Sequence, residues 1–164
     1  MKNLKLLFIL VVFSTTLSCS RKNVTSVTTV DVIVTDGASG TAASGATIYL
    51  YDSSNAVISN LPKYTQTSDS KGEAKFTVVY SGQYYVVVQK GSAKNYYNGL
   101  IPLGIFQSQT EIRNSPAQNP PAIVGGIRFR DTNGDGVINA SDNTVPPAVA
   151  LTANTNNTFT TTIY

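Results

Sequence analysis

The stretch Val27-Thr28-Thr29-Val30-Asp31-Val32-Ile33-Val34-Thr35 decides the fold, because Val30, Val32 and Val34 fall on one side of an extended chain and Thr29, Asp31 and Ile33 on the other. A period of two with β-branched residues throughout means a strand with one buried face. The same reading extends to Ala46–Tyr51, where Ile48 and Leu50 alternate with Tyr49 and Tyr51, and to Ala56–Asn60, Tyr64–Thr67, Glu73–Tyr80 and Tyr84–Lys90. Clusters of Gly, Ser, Asn and Asp separate these runs; Asp69–Gly72 supplies one turn and Gly82 tightens the next. No helical periodicity competes with this pattern downstream of the N-terminal leader. The chain therefore reads as all-β, an antiparallel β-sandwich over residues 27–95. A sandwich of about 70 residues has a small core, so further strands or a bound ion would add to its stability. Residues 96–164 read as a loop-rich β extension, with an exposed connector at Asn114–Pro121 and two further strands at Ala148–Thr152 and Thr158–Tyr164 around an Asn/Thr turn.

Within that extension, Asp131-Thr132-Asn133-Gly134-Asp135-Gly136-Val137-Ile138-Asn139-Ala140-Ser141-Asp142 places oxygen donors at the first, third, fifth and last positions of a twelve-residue loop. Calcium-binding loops use this spacing. Asp131, Asn133 and Asp135 can turn side-chain oxygens inward, Val137 can offer its backbone carbonyl, Asn139 can hold a bridging water, and Asp142 can close the shell. Gly136 permits the sharp turn, and Ile138 can anchor the loop to a core. The competing reading is a polar Asx/Gly turn joining two strands. The flanks are not helical: Ile127–Arg130 alternates with period two, and Pro146-Pro147 blocks a long helix downstream. The loop resembles the dockerin-type, free-standing form of the EF-hand motif, ending in aspartate where glutamate is usual. That resemblance implies a structural Ca2+ that pins the loop, without a helix pair to open.

At the other end, Lys2 and Lys5 precede the apolar run Leu6–Phe13, and small polar residues lead to Leu17-Ser18-Cys19. This is a secretory signal over residues 1–18; its apolar run is shorter than the ~20 residues that span a bilayer. Cys19 is the single cysteine, so no internal disulfide is available. The site resembles the lipobox of bacterial lipoproteins, with Thr16 at the place where leucine is usual. The resemblance implies an acylated Cys19 holding the chain to a membrane, a linker at residues 19–26, and, with Ser20 beside it, sorting to the outer membrane. Which side of that membrane it faces is left open.

Composition narrows the function classes. The chain carries twelve Lys and Arg against nine Asp and Glu, and two of the basic residues, Lys2 and Lys5, leave with the leader. No basic stripe with interleaved aromatics survives, so nucleic acid is not an expected partner. Histidine is absent, which removes Ser-His-Asp and Cys-His catalysis and the usual zinc sites. A carboxylate-pair hydrolase would need two acids facing one cleft outside the calcium-type loop, and the pattern offers none. Tyr84, Tyr85, Tyr96 and Tyr97 could stack on sugars, although tyrosines at strand spacing more often pack.

Two longer sets of strings carry further resemblances. Gly45–Leu50, Thr67–Phe76 and Gly82–Val88 together resemble the carboxypeptidase-regulatory, prealbumin-like β-sandwich, a relative of the Cna-B modules, over roughly residues 24–95. Such domains are structural or adhesive and not catalytic. Some adhesin relatives form lysine–asparagine crosslinks, but Val27–Thr35 contains no lysine, and no crosslink is expected here. Gly104–Ile112 and Gly125–Arg130, running into the calcium-type loop, resemble a segment of starch-utilisation TonB-dependent outer-membrane receptors over residues 99–145. The combined expectation is a non-enzymatic, lipid-anchored envelope protein serving as a structural, adhesion or accessory module, with an outer-membrane protein or a glycan as partner. The alternative is a glycan-binding accessory lipoprotein of a nutrient-uptake system.

Overall fold

A computed structural model describes residues 27–164; the leader, Cys19 and the linker lie outside the described residues. The first half supplies β1 (Thr28–Asp36), β2 (Thr47–Tyr51), a short helix α1 (Ser54–Ile58), β3 (Tyr64–Thr67), β4 (Glu73–Val78), β5 (Gln83–Lys90) and the two-residue β6 (Ala93–Lys94). The second half adds β7 (Pro102–Ile105), α2 (Gln109–Arg113), β8 (Ala117–Gln118), β9 (Ile127–Phe129), β10 (Val137–Ile138), a 3-10 turn at Ala140–Asp142, β11 (Ala148–Ala150) and β12 (Asn156–Ile163). The all-β class expected from the alternation is what the chain adopts.

Two sheets hold the core. One runs β12-β1-β4 and the other β11-β5-β2-β3, with β6 beside β5. Val30, Val32 and Val34 of β1 are fully buried, as are Ile48 and Leu50 of β2 and Val86 and Val88 of β5, and all belong to one apolar cluster with Phe76 of β4. Alternation produces this directly, since every second side chain of each strand points to the same interior. Val149, Leu151 and Ile163 join the same cluster. The strands that carry or adjoin them return to the sheets of the first half: β11 pairs antiparallel with β5, and β12 pairs parallel with β1 along its whole length. A parallel partner requires a long crossover, and residues 96–147 form an excursion that leaves β6 and comes back at β11. Between those points, β7 pairs with β9 and β8 with β10 in two small ribbons.

One local reading of the sequence is corrected, and two further elements are added to it. Ala56–Asn60 is not a strand: Ser54–Ile58 is helical, because the Ser53 hydroxyl accepts the Ala56 N–H at 3.1 Å and caps the turn, and Asn60 then ends it at φ 50°. Gln109–Arg113 is a second helical turn capped by Ser108, whose hydroxyl accepts the Glu111 N–H at 3.2 Å. The connector at Asn114–Pro121 contains β8, which pairs with Val137–Ile138.

One buried polar side chain links these parts. On the edge of β5, β11 pairs with residues 83–85 and β6 with residues 89–90, which leaves the backbone between them short of a strand neighbour. Asn95, 3% exposed, fills the gap: its Oδ1 accepts the Val88 N–H at 2.9 Å and its Nδ2 donates to the Val86 carbonyl at 3.0 Å. The same Nδ2 reaches Thr161 Oγ1 of β12, in the opposite sheet, at 3.3 Å. An amide can imitate a strand backbone in this way because it carries both a donor and an acceptor. Asn95→Ala would strand a buried N–H and a buried C=O, each costing about 1–3 kcal/mol. The expected result in chemical denaturation is a loss of about 2–4 kcal/mol, with Asn95→Asp intermediate because it keeps only the acceptor.

Candidate metal centre

The loop expected to bind calcium lies in the excursion, from just after β9 to the end of the 3-10 turn, and its ends are fixed differently. Asp131 follows β9 by two residues, while Val137 and Ile138 form β10 against β8, and Ile138 is 2% exposed. The loop is thereby seated on the protein through its apolar residue, as its position in the sequence suggests. Asp142 closes it from the last position of the 3-10 turn.

The Asp, Asn and Thr side chains of the loop fold back on the backbone. Asp131 accepts the Gly134 N–H through Oδ1 at 2.7 Å and the Gly136 N–H through Oδ2 at 2.9 Å. Asn133 Oδ1 accepts the Asp135 N–H at 2.9 Å, and Asp135 Oδ1 accepts the Val137 N–H at 2.8 Å. Successive Asx turns of this kind favour aspartate and asparagine at alternate positions. Gly134 and Gly136 both sit at positive φ, 75° and 82°, where a residue with a Cβ would be strained. Asn139 caps the 3-10 turn, accepting the Ser141 N–H at 2.7 Å.

Asp142 is the buried member, with no exposed surface. Its Oδ2 accepts the Asn139 N–H at 2.8 Å, and its Oδ1 accepts the Thr132 N–H at 2.9 Å, so it ties the two ends of the loop together. The hydrogen bond from the Asn139 backbone is the largest of the effects that hold its carboxyl below the ordinary aspartate value; burial opposes it, and the Thr132 and Asn133 backbone N–H groups reinforce it.

Three carboxylates thus occupy one loop, and none of them enters an ion pair among the described residues; the ion pairs found there join Lys63 to Asp52, Lys75 to Asp31 and Arg128 to Glu111. Among the described residues no group of three or more Asp, Glu, His or Cys side chains converges closely enough to hold a metal ion. The donor set nonetheless suits a hard cation, because every donor is oxygen and each carboxylate oxygen has more than one lone pair. Of the tyrosines considered for sugar stacking, Tyr84 is fully buried in the core, its hydroxyl donating to the Val79 carbonyl at 2.8 Å. Tyr97 packs edge-on against Phe129, and its hydroxyl lies between the Ser92 and Tyr164 carbonyls. Tyr85 and Tyr96 remain partly exposed. No protein-family model matches the chain, and no curated protein matches it.

The lowered Asp142 carboxyl has a thermodynamic consequence with a definite sign. A group whose folded value lies below its unfolded value binds fewer protons when folded, so its contribution is present above about pH 4 and is lost as pH falls through the folded value. Asp36 and Asp69, each lowered chiefly by a backbone N–H, act in the same direction. In urea titrations across pH, Asp142→Asn should be less stable than the parent at pH 7. The gap should narrow progressively below the ordinary aspartate value of 3.8, where the parent's own carboxylate takes up its proton.

Proposed function

We propose that the chain is a non-enzymatic, lipid-anchored envelope module whose excursion is stiffened by a calcium ion, acting as a structural, adhesion or accessory element at the outer membrane. The observation that carries the calcium part is the loop itself: three carboxylates in twelve residues, one of them buried, with no cationic side chain paired to them among the described residues. Concentrated negative charge without a counter-charge favours a cation. Asp131, Asn133, Asp135 and Asp142 would supply side-chain oxygens, Val137 its carbonyl, and Asn139 a water-mediated contact. The ion would contribute hard-cation charge only; the residues orient themselves through the Asx turns and the Thr132–Asp142 bonds.

Anchoring rests on the leader and on Cys19. Among the described residues no helix is long and apolar enough to cross a membrane, and two or more acyl chains at Cys19 would give a stable anchor by themselves. Cells fed an alkyne-tagged fatty acid should incorporate it into the parent chain and not into Cys19→Ala, which should also leave the membrane fraction.

Thermal unfolding of the processed chain with calcium and with chelator tests the ion. At about a hundred times its dissociation constant, calcium should stabilise by about 2.7 kcal/mol. The shift should vanish in an Asp131→Ala, Asp135→Ala double variant. An unchanged midpoint at millimolar calcium would reduce the loop to a polar turn.

A further inference from the structure

The outer face of β2 and β5, away from the core, forms the floor of a groove of about 1010 Å³. Tyr49 of β2 stands directly across from Val87 of β5, and Gln89 of β5 lies opposite Thr47, so Tyr49, Val87 and Gln89 occupy neighbouring positions on that face. The Tyr51 ring is 6.3 Å from that of Tyr49 at 39°. One wall is α1 with Asn60. The other is made by Tyr96, Asn98 and Gly99 together with Asn143–Pro146, the residues that come directly after the acidic loop. This second wall is built in: the Tyr96 hydroxyl donates to the Thr144 carbonyl at 2.6 Å, and the Thr144 N–H donates to the Gly99 carbonyl at 2.8 Å. Gly99 has φ 96°, and a Cβ there would run into the Asn143 side chain, so the close approach of the two segments requires glycine.

The lining has a distinct chemistry. Three tyrosines, Tyr49, Tyr51 and Tyr96, are joined by four amides, Asn60, Gln89, Asn98 and Asn143, with Val57, Ile58, Val87, Val145 and Pro146 as apolar patches between them, and no carboxylate lines the groove. Lys94 is the single charged lining residue among the described residues, and its ammonium lies over the Tyr97 ring at 5.9 Å. A nucleic acid or an acidic ligand would need more cations than this. An extended peptide added as a strand would need a free sheet edge, whereas the floor here is a sheet face. An acyl chain would leave four amides facing hydrocarbon. Tyr51 is 3% exposed with its hydroxyl on Asn60 Oδ1, and the Tyr96 hydroxyl is held by Thr144, so the groups left facing the groove are the Tyr49 ring and the amides of Gln89, Asn98 and Asn143. Neutral sugars suit these: a C–H face stacks on a tyrosine ring, and paired hydroxyls match the donor and acceptor of an amide. The volume is at the upper end of the about 300–1,000 Å³ typical of ligand clefts, which suits several sugar units better than one.

We infer that this groove is a binding site for a neutral oligosaccharide, with Tyr49 as the stacking platform and Gln89, Asn98 and Asn143 as the hydroxyl-reading groups. The inference stands on the groove and not on the calcium reading, so either can fail without the other. The processed chain in mild detergent is titrated calorimetrically, with calcium and again with chelator, against short fragments of β-glucan, starch, mannan and xylan. Uronate oligosaccharides and an unstructured peptide serve as competitors. At least one neutral fragment should bind with a dissociation constant on the order of micromolar to millimolar. Tyr49→Ala and Gln89→Ala should each weaken it about tenfold, equivalent to about 1.4 kcal/mol. Tyr85→Ala, on the same sheet face but outside the groove, should leave it unchanged. Gln89 is exposed, so its variant decides the matter even if Tyr49→Ala fails to fold by circular dichroism. No binding of any neutral fragment at millimolar concentration would overturn the inference, as would binding indifferent to both groove variants or confined to the uronates or the peptide.

Discussion

The buried amide of Asn95 is the constraint on which the remaining architecture depends. It stands at the point where the chain leaves the sheets for its excursion, and it solves the backbone problem that this departure creates. A central strand cannot leave a buried N–H and C=O without partners, and β5 has such a pair between the stretches covered by β11 and β6. With its head group fixed on Val86 and Val88, Asn95 also sets the course of the residues just after it. Tyr96 runs to the Thr144 carbonyl and Tyr97 to the Ser92 and Tyr164 carbonyls, which fastens both the start and the end of the excursion to the same place. The reach of Nδ2 to Thr161 adds a buried polar tie between the two sheets, beside the Tyr64 and Tyr84 hydroxyls on the Val79 backbone and the paired backbone bonds of Lys94 and Tyr164.

Because the excursion is closed at its base, its two notable features share structure. Asp142 ends the acidic loop, and the next four residues, Asn143–Pro146, are a wall of the groove. Thr132 and Asp142 are bonded across the loop, so the conformation of the acidic turn fixes where that wall begins. Order in the loop therefore bears on the shape of the groove through a short, continuous stretch of backbone. No long-range communication is required.

Much of the two-sheet core is legible because its strands alternate with period two. Tyr64–Thr67 has the same limits in the sequence reading and in the structure, β2 and β5 differ from theirs by one residue at one end, and β1 is displaced by one residue at both. The helices escape the strand pattern for a specific reason. Val57 and Ile58 favour strands, but the Ser53 cap, whose advantage lies in a single hydrogen bond, outweighs that preference over five residues. Ser108 and Glu111 carry a capping signal that the resemblance to receptor sequences obscures. The parallel seating of β12 on β1 is not legible at all: strand propensity says that Thr158–Tyr164 is extended, but partner and direction depend on where a fifty-residue excursion brings the chain back. At the acidic loop, the sequence reveals the Asx residues and the anchoring Ile138, whereas the burial of Asp142 and its double tie to Thr132 and Asn139 are tertiary facts. The groove escapes sequence reasoning because Tyr49, Gln89, Asn98 and Asn143 are brought together from four separate segments.

The uneven distribution of apolar residues gives a physical reason for a polar, hydrogen-bonded loop in this position. The two sheets bury sixteen residues in one cluster. Between residues 96 and 147, apart from prolines, the buried hydrophobic side chains are Phe106 and Ile138, and neither belongs to that cluster. Burial at about 25 cal/mol per Å² cannot hold a segment of that length in one conformation against its chain entropy. Its order rests instead on hydrogen bonds: the Asx turns, the capped helical turn at Ser108, the Glu111–Arg128 pair and the stitching of Thr144 to Gly99. Such bonds contribute about 1 kcal/mol each when water competes for them. A divalent ion, if bound as proposed, would gather several oxygens at once and exclude that competition, and a segment with this composition would gain more from it than the sheets beneath.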